Sequence, residues 1–400
     1  MHATDCTGVS DCVSRARALA PMIAAAAGEI ERNRELPAEL VAALQNAGLF
    51  RMLLPRSLGG QEVPLPLYAQ AIEEIAKADA STAWCLAQTS VCSTISASLE
   101  HEVAWEIFGK DPHAVLAWGP GGSPAKAIPA EGGYRISGTW GFASGSRHAN
   151  WLAAHCPVFE PDGTPRKDAH GQPVQRTFVV PKSSAVFADT WQVMGLRGTG
   201  SDTYTITDLF VPDARSMTAF AINAAERRER GPLYRFTIFQ MFPTSFATIA
   251  LGIARTMLDD FIALAKTKVP GGNPTGTRTL LRDNAVVQSQ VGVAESELAA
   301  ARVFLRHAVE DLWREAEQGA ISLERRMALR MACSHASHHA RQVADMVYHS
   351  AGATAIFERN PYERRFRDIH TVSQQVQSHF AVYEAIGQHF LGLPLQSRLV

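Results

Sequence analysis

The chain has 400 residues, of which 46% are hydrophobic and 19% are charged, and 38 basic against 39 acidic residues give it a formal net charge of −1. This composition is typical of a folded, enzyme-like protein with two or three packed units, and it excludes disordered and fibrous classes. The balanced charge makes nucleic acid and anionic membranes poor candidates for partners.

Cysteine usage predicts the compartment. The six cysteines are scattered, without a close pair or a CxxC motif, which indicates reduced thiols and a cytoplasmic location. The first residues lack the layout of a secretion signal. No apolar run approaches the roughly 20 residues that span a bilayer, so no membrane segment is expected.

Helical periodicity dominates residues 10–110, where Ala, Leu, Ile and Val recur at three- and four-residue spacing. A loop with the sequence LPRSLGG interrupts the pattern at residues 54–60. We therefore predict an N-terminal helical domain over residues 1–112.

Short β-patterned runs separated by turn residues follow. Their spacing favours an antiparallel sheet or small barrel over alternating βαβ units and predicts a central β domain over residues 113–217. The expected strands cover residues 114–118, 134–138, 151–158, 177–180, 191–194 and 203–211.

Long helical patterns then return and predict a C-terminal four-helix bundle over residues 218–400. The expected helices cover residues 243–267, 284–318, 323–350 and 372–391, with Pro243 in the first turn of its helix. The predicted fold class is therefore α+β, with a cleft for a cofactor where the sheet meets the bundle.

Two runs of glycine and hydroxyl residues lie within the β-patterned part, GTWGFASGS at residues 138–146 and MGLRGTGSD at residues 194–202. Glycines let a backbone pass close to a ligand, while Phe142 offers a ring and Ser144, Thr199 and Ser201 offer hydroxyl groups. This mixture suits a flat, polar-edged cofactor such as a flavin ring. Taken alone, such runs are also ordinary turns between strands.

A histidine pair is the one candidate for a metal site. His335 and His339 lie one turn apart on a predicted helix. No third ligand and no HExxH glutamate accompany them, so no metal is expected.

The order of elements, together with five short motifs, resembles the acyl-CoA dehydrogenase superfamily across nearly the whole chain. The motifs are at residues 54–60, 76–81, 138–146, 194–202 and 364–370. This resemblance implies a homotetramer. It also implies a flavin between the β domain and the bundle, with contacts from a neighbouring subunit.

The resemblance assigns flavin contacts to the β domain. It places Phe142 against the face of the isoalloxazine ring and the hydroxyl of Ser144 near the flavin N5 atom. It places residues 117–122, which include Trp118, along the pyrimidine side.

Further flavin contacts are implied in the bundle. Arg282 and Gln288 match contacts that a neighbouring subunit makes. Gly352 belongs to a glycine-rich flavin-binding stretch, in which the glutamine often present is Tyr348 here.

The dehydrogenases of this superfamily need a carboxylate base, which most of them carry as a glutamate near the position of Val376. Residues 370–378, HTVSQQVQS, contain no carboxylate. Other dehydrogenases carry the glutamate near position 255, where Asp259 and Asp260 are the nearest acids and fit an exposed helical face. A conventional acyl-CoA dehydrogenase is therefore disfavoured.

The stretch from Arg367 to His370, RDIH, is similar instead to the flavin-dependent monooxygenases of the superfamily, the oxygenase components of two-component systems. Such enzymes take reduced flavin, FAD or FMN, from a separate reductase. They form a C4a-(hydro)peroxide with O₂ and oxygenate a small aromatic or heteroaromatic substrate. In that role Ser144 stabilises the peroxide.

Three residues are implied to face the substrate. His370 serves as a base or a polar clamp, because a histidine exchanges protons near neutrality, and Ser373 follows it on the same segment. Cys92 stands eight residues after Trp84, where relatives often carry a histidine. Its thiol is either a weak donor or plain core packing.

Other interpretations stay open at this point. The protein could be a flavin dehydrogenase or oxidase with a non-standard base, or a non-catalytic scaffold that keeps the fold. His370 could be a structural histidine, Ser144 a turn hydroxyl and Phe142 part of the core.

Overall fold

The computed structural model describes residues 11–120, 124–219, 226–271 and 279–395. Within these ranges a group of helices, two four-stranded sheets and a second group of helices follow one another along the chain. The predicted α+β class and this three-part order are thus confirmed, while the domain boundaries stay predictions. None of the helices in the described ranges has the length and hydropathy that a membrane span requires.

In the N-terminal part, α4 (Ala80–Ser93) packs against α3 (Leu65–Ala78), and all side chains of α4 are buried. Asp79 both ends α3 and begins α4, because its extended backbone stops one helix and its carboxylate accepts from the N–H of Thr82 at 2.7 Å. The helices are α1 (Asp11–Asn33), α2 (Ala38–Asn46), α3 (Leu65–Ala78), α4 (Ala80–Ser93) and α5 (His101–Ala104).

Two sheets form the middle of the molecule, one in the order β1-β4-β5-β8 and the other in the order β2-β3-β7-β6. All pairs are antiparallel except β1 with β4, which is parallel. The strands are β1 (Leu116–Ala117), β2 (Lys126–Ala130), β3 (Gly133–Trp140), β4 (Trp151–Pro157), β5 (Gln175–Pro181), β6 (Val186–Ala188), β7 (Thr203–Pro212) and β8 (Ser216–Thr218).

One expected strand, residues 191–194, is wrong, because the structure has an irregular loop there. The backbone N–H of Trp191 points to the carboxylate of Asp202, and its indole N–H donates to the Leu196 carbonyl at 3.1 Å. These local bonds take the place of a strand ladder. The short strands β2, β6 and β8 were not expected.

The C-terminal part has three long helices and two shorter ones among the described residues. The expectation that Pro243 begins its helix is wrong, because Thr237 and Gln240 form a capping box that starts the helix five residues earlier. The helices are α6 (Ile238–Ala265), α7 (Ala285–Gln318), α8 (Leu323–Ala351), α9 (Tyr362–Val372) and α10 (Ala381–Phe390).

The fourth expected helix, residues 372–391, is wrong as a single element. The side chain of Gln375 accepts from the backbone N–H of Gln377, which makes a short 3₁₀ turn at Val376–Ser378 and separates α9 from α10. The break leaves α9 packed against α6 and α8, close to α4. The central helix α4 also contacts β1, so it lies where sheet and bundle meet.

Candidate active site

The two glycine and hydroxyl runs meet in the structure, on the side of the sheets that faces α4. The N–H of Ala143 donates to the carbonyl of Asp202, and the N–H of Gly145 donates to the carbonyl of Thr199, both at 3.1 Å. We call residues 141–145 the first turn and residues 194–202 the second loop. The sequence singled out both segments, and the structure adds that they pair with each other.

A chain of buried hydroxyl groups joins the two segments. Ser144 Oγ lies 2.6 Å from Ser201 Oγ, which lies 2.7 Å from Thr199 Oγ1. Thr199 donates in turn to the carbonyl of Leu196 at 2.8 Å. Ser144 is thus more than a turn hydroxyl, because it is one end of a connected polar network.

Trp84 on α4 links this network to an aromatic cluster. Its indole N–H donates to Ser144 Oγ at 3.0 Å, while its ring stacks on Phe246 with centroids 4.0 Å apart. Phe246 stacks on Phe242, and Trp118 meets Phe242 edge-on. Aromatic residues from α4, α6 and the end of β1 therefore surround one side of the Ser144 hydroxyl.

Phe142 differs from these buried rings because 67% of its surface is exposed. Its backbone has φ of +57°, which is unusual for a bulky residue and strained. Its ring touches Trp191 edge-on and leaves its faces uncovered by any other ring contact of the described residues.

Close backbone approach at the first turn supports the interpretation as a flavin site. A Cβ on Gly119 would lie 1.8 Å from the carbonyl oxygen of Gly141, so the end of β1 and the first turn pack backbone to backbone. An exposed ring at Phe142, a hydroxyl two residues later and this small-residue surface fit a flat ring with polar edges. Of the predicted segment 117–122, residues 121 and 122 lie outside the described residues.

The second loop is held against α9 by a buried carboxylate. Asp368 accepts from the backbone N–H of Leu196 at 2.6 Å, and Leu196 has a left-handed backbone with φ of +52°. Burial, with a smaller contribution from the nearby acids Asp79 and Glu31, raises the pKa of Asp368 to about 7 against the opposing effect of the bond from Leu196.

A polar cleft of about 710 Å³ opens beside this contact, between α1, the second loop and the beginning of α9. Glu31, Arg197, Arg364 and Arg367 are among the residues that line it. Arg367 is already paired with Glu31 at 2.6 Å. The charged lining suits the polar part of a ligand better than an aromatic ring.

Unlike Asp368, which contacts the second loop, His370 on α9 contacts α8. Its Nε2 lies 2.7 Å from Asp345 on α8, and its ring packs against Phe366. Ser373 donates to the carbonyl of His370 at 2.9 Å, so these two predicted substrate residues are together. No contact between either of them and Ser144 is found in the described residues.

Cys92, the third predicted substrate residue, is fully buried on α4. The amide of Gln88 donates to its sulfur at 3.7 Å, and the thiol lies against the backbone of Trp118. Burial raises the pKa of the Cys92 thiol well above its usual value, so the neutral thiol is favoured. The structure thus brings Cys92 to Trp118 and not to His370.

The remaining predicted cofactor residues form a second group at one end of the bundle. Gln288 donates to the carbonyl of Arg282 at 3.0 Å. Lys268 joins this region to Gly352, because its backbone carbonyl accepts from Leu281 while its ammonium donates to the Ala351 carbonyl at 2.6 Å. Arg282, Gln288 and Gly352 are all exposed.

The positions at which a dehydrogenase carries its base are occupied by other chemistry. Val376 is 58% exposed, and its neighbours Gln377 and Ser378 are neutral. Asp259 pairs with Arg255 at 2.6 Å, and Asp260 pairs with Arg365. Both aspartates therefore lie on the outer part of α6 and are paired with arginines, as the sequence predicted for an exposed helical face.

Sequence reasoning missed two of the contacts that organise the site. Asp345 lies 25 residues before its partner His370, and Leu196 lies 172 residues before Asp368, so no local spacing connects them. In the part of the chain that the structure describes, no group of three or more His, Cys, Asp or Glu is arranged to hold a metal ion. His339 lies against Glu297 and the ring of His335.

Comparison with known proteins supports this architecture. The family described as "Acyl-CoA dehydrogenase, N-terminal domain" matches residues 14–102, and "Acyl-CoA dehydrogenase, C-terminal domain" matches residues 244–382. The chain is 28% identical over 368 residues to indole-3-acetate monooxygenase of Pseudomonas putida, covering 91% of this chain and 90% of the relative.

Two further relatives agree. The FADH(2)-dependent resorcinol hydroxylase, oxygenase component, of Rhizobium sp. (strain MTP-10005) is 29% identical over 394 residues, covering 95% of this chain and 94% of the relative. The crystal structure of 3-HSA hydroxylase from Rhodococcus sp. RHA1 superposes with a TM-score of 0.87 at 26% identity, covering 98% of this chain and 99% of that one. The chain therefore belongs to the acyl-CoA dehydrogenase superfamily, and within it to the flavin-dependent monooxygenases.

Proposed function

We propose that this protein is the oxygenase component of a two-component system, which receives reduced flavin from a separate reductase and oxygenates a small aromatic or heteroaromatic substrate with O₂. The observation that carries the proposal is the buried hydroxyl chain that ends at Ser144, two residues from the exposed ring of Phe142. It is supported by Val376, an apolar residue where most dehydrogenases carry their glutamate, and by the arginine pairs of Asp259 and Asp260 at the alternative position.

The residues of the first turn and of α4 would hold the flavin ring. Phe142 offers a ring face for stacking, and Ser144 offers a hydrogen bond to the N5 edge of the ring. When bound, reduced flavin supplies the two electrons that the oxygenation of a substrate by O₂ requires. Trp84 and the stacked phenylalanines exclude water from the other side of Ser144, which strengthens polar interactions there.

His370 is the proposed substrate base. Its Nε2 bonds to Asp345, which fixes the ring and leaves Nδ1 as the atom that can take a proton from an acidic O–H or N–H. Ser373 remains a proposed substrate contact. For Cys92, which is fully buried, we propose core packing in place of a substrate contact.

A homotetramer would complete the site from a second copy. The group formed by Arg282, Gln288 and Gly352 is exposed at the end of the bundle. Apolar side chains are also exposed along α7 and around α10, which is typical of a surface that another subunit covers. These side chains are Val286, Val293, Val303, Phe380, Phe390 and Leu391. A cytoplasmic location agrees with the five free, buried cysteines of the described residues.

The proposal is tested by product analysis with labelled oxygen. Photoreduced FAD or FMN is bound to the protein without air and mixed with ¹⁸O₂ and a panel of indoles, phenols and aromatic acids. Incorporation of one ¹⁸O atom into a panel member is the expected result. Reduction of bound oxidised flavin by a substrate under nitrogen would instead support a dehydrogenase, and failure to bind reduced flavin would contradict the proposal.

A further inference from the structure

The direction of hydrogen bonding along the hydroxyl chain is set at its last member. Thr199 Oγ1 lies 2.8 Å from the carbonyl oxygen of Leu196, which can only accept. Thr199 therefore donates its single hydroxyl proton to the Leu196 carbonyl, and it must accept a hydrogen bond from Ser201, 2.7 Å away. The opposite direction would bring two lone pairs together across the distance between Thr199 and Leu196.

The same reasoning fixes the proton of Ser144. Because Ser201 donates to Thr199, it accepts from Ser144 across 2.6 Å. The indole N–H of Trp84, which can only donate, takes one of the two lone pairs of Ser144 Oγ. Ser144 is left with one lone pair and no proton for a ligand.

We propose that this one-way chain makes the site selective for reduced over oxidised flavin, because Ser144 presents an acceptor and no donor. The proposal rests on the proposed function, which places the flavin N5 edge at Ser144. In reduced flavin N5 carries a hydrogen and can donate to Ser144. In oxidised flavin N5 carries only a lone pair, which would face the lone pair of Ser144.

Selectivity of this kind matches the task of an oxygenase component. The protein has to capture reduced flavin that another enzyme makes and has to release the oxidised product. All three hydroxyl groups are buried, so solvent cannot easily supply a replacement proton. Ser144 can donate to a ligand only if the chain reverses or the bond from Ser144 to Ser201 is lost, and either change costs a buried hydrogen bond. One hydrogen bond corresponds to about a tenfold difference in the dissociation constant.

The test compares the dissociation constants of photoreduced and oxidised FAD, measured without air by equilibrium dialysis. Thr199→Val is nearly isosteric and removes the acceptor for the Ser201 hydroxyl. Ser201 can then donate to Ser144, so that the Ser144 proton becomes free to bond to a ligand. Ser201→Ala removes the acceptor of the Ser144 proton, which then also becomes free to bond to a ligand. Both variants are expected to bind oxidised FAD about tenfold more tightly than wild type does, with a smaller change for reduced FAD.

The midpoint potential of the bound flavin gives an independent measure. A tenfold loss of the preference for reduced over oxidised flavin lowers the midpoint potential of the two-electron couple by about 30 mV. Thr199→Ser and Ser201→Thr keep the hydroxyl groups and should keep the preference. Thr139→Val is the matched control, because the Thr139 hydroxyl pairs with Thr205 at 3.0 Å outside the chain.

The outcomes separate this inference from the proposed function. If wild type binds no reduced flavin, the proposed function fails and the inference falls with it. If wild type binds reduced flavin but shows no preference over oxidised flavin, or if folded Thr199→Val and Ser201→Ala both keep the wild-type preference, the inference alone is overturned. A thermal unfolding curve tests whether each variant is folded. If one of them is not, the conservative variants Thr199→Ser and Ser201→Thr still test the preference at the same positions.

Discussion

The carboxylate of Asp368 on α9 accepts a hydrogen bond from the backbone N–H of Leu196 at 2.6 Å, and this contact ties the bundle to the second loop. Because Leu196 also receives the last bond of the hydroxyl chain through its carbonyl oxygen, one residue connects α9 to Ser144. The backbone of Leu196 is left-handed, so the loop depends on these bonds to keep its shape.

Asp368→Asn should stabilise the protein at high pH. Burial raises the pKa of Asp368 to about 7 from its ordinary value of 3.8, so the folded state holds the proton more tightly than the unfolded state does. This contribution to stability is complete below pH 4 and is lost as the pH rises to 7. The variant should therefore be more stable than wild type by about 2–4 kcal/mol at pH 8 and nearly equal at pH 4.

Urea unfolding between pH 4 and pH 8, at one fixed protein concentration, measures this difference. The other groups that act on Asp368, namely Asp79, Glu31 and Arg364, are unchanged in the variant, so the comparison isolates one carboxylate. A variant that is less stable than wild type throughout the range would mean that the charged bond to Leu196 outweighs the cost of burial.

Gly195→Ala should loosen the same contact from the loop side. A Cβ at this position would lie 2.2 Å from the carbonyl oxygen of Arg367 and 2.6 Å from Thr371 Oγ1, so α9 has to shift. We expect a loss of about 2–3 kcal/mol in the free energy of unfolding and weaker binding of reduced flavin. Gly292→Ala in α7 is the control, because its Cβ meets nothing within 4 Å and should stabilise the helix by about 1 kcal/mol.

Residue types indicated candidate residues of the site but not the connections between them. Phe142, Ser144, Thr199 and Ser201 could be chosen from the sequence because glycine and hydroxyl runs are local patterns. The donor that completes the network, Trp84, is 60 residues away from Ser144 along the chain. Such a pairing depends on how α4 packs against the sheets, which periodicity does not encode.

The errors in the predicted elements have a common cause. The stretch before Gly195 and the stretch around Gln375 both have regular apolar spacing, yet both are irregular in the structure. In each case a side chain bonds to nearby backbone, Asp202 to the N–H of Trp191 and Gln375 to the N–H of Gln377. These bonds compete with strand and helix formation and are hard to foresee from spacing alone.

Two measurements on Cys92 test whether its thiol packs in the core or takes part in catalysis. Burial raises the pKa of its thiol, so iodoacetamide should not modify it in the folded protein. Cys92→Ala should cost about 1–2 kcal/mol of stability and leave product formation within about threefold of wild type. Peptide mapping by mass spectrometry measures the first effect and the ¹⁸O assay measures the second. Cys333→Ala, equally buried in α8, is the control, and a much larger loss of product in Cys92→Ala alone would assign the thiol a catalytic role.

His370 and Asp345 together test the proposed substrate base. If Nδ1 of His370 takes a proton from the substrate, His370→Ala should lower the rate of product formation by about 10²–10⁴-fold and leave the affinity for reduced flavin within about twofold of wild type. Asp345→Asn keeps the shape but removes the negative acceptor that fixes Nε2–H, so a smaller loss, about tenfold, is expected. His389→Ala on α10 controls for the loss of a histidine elsewhere in the bundle. A purely structural histidine would show the reverse pattern, with lower stability in both variants and a wild-type rate per folded molecule, because the proton transfer would then lie with another group.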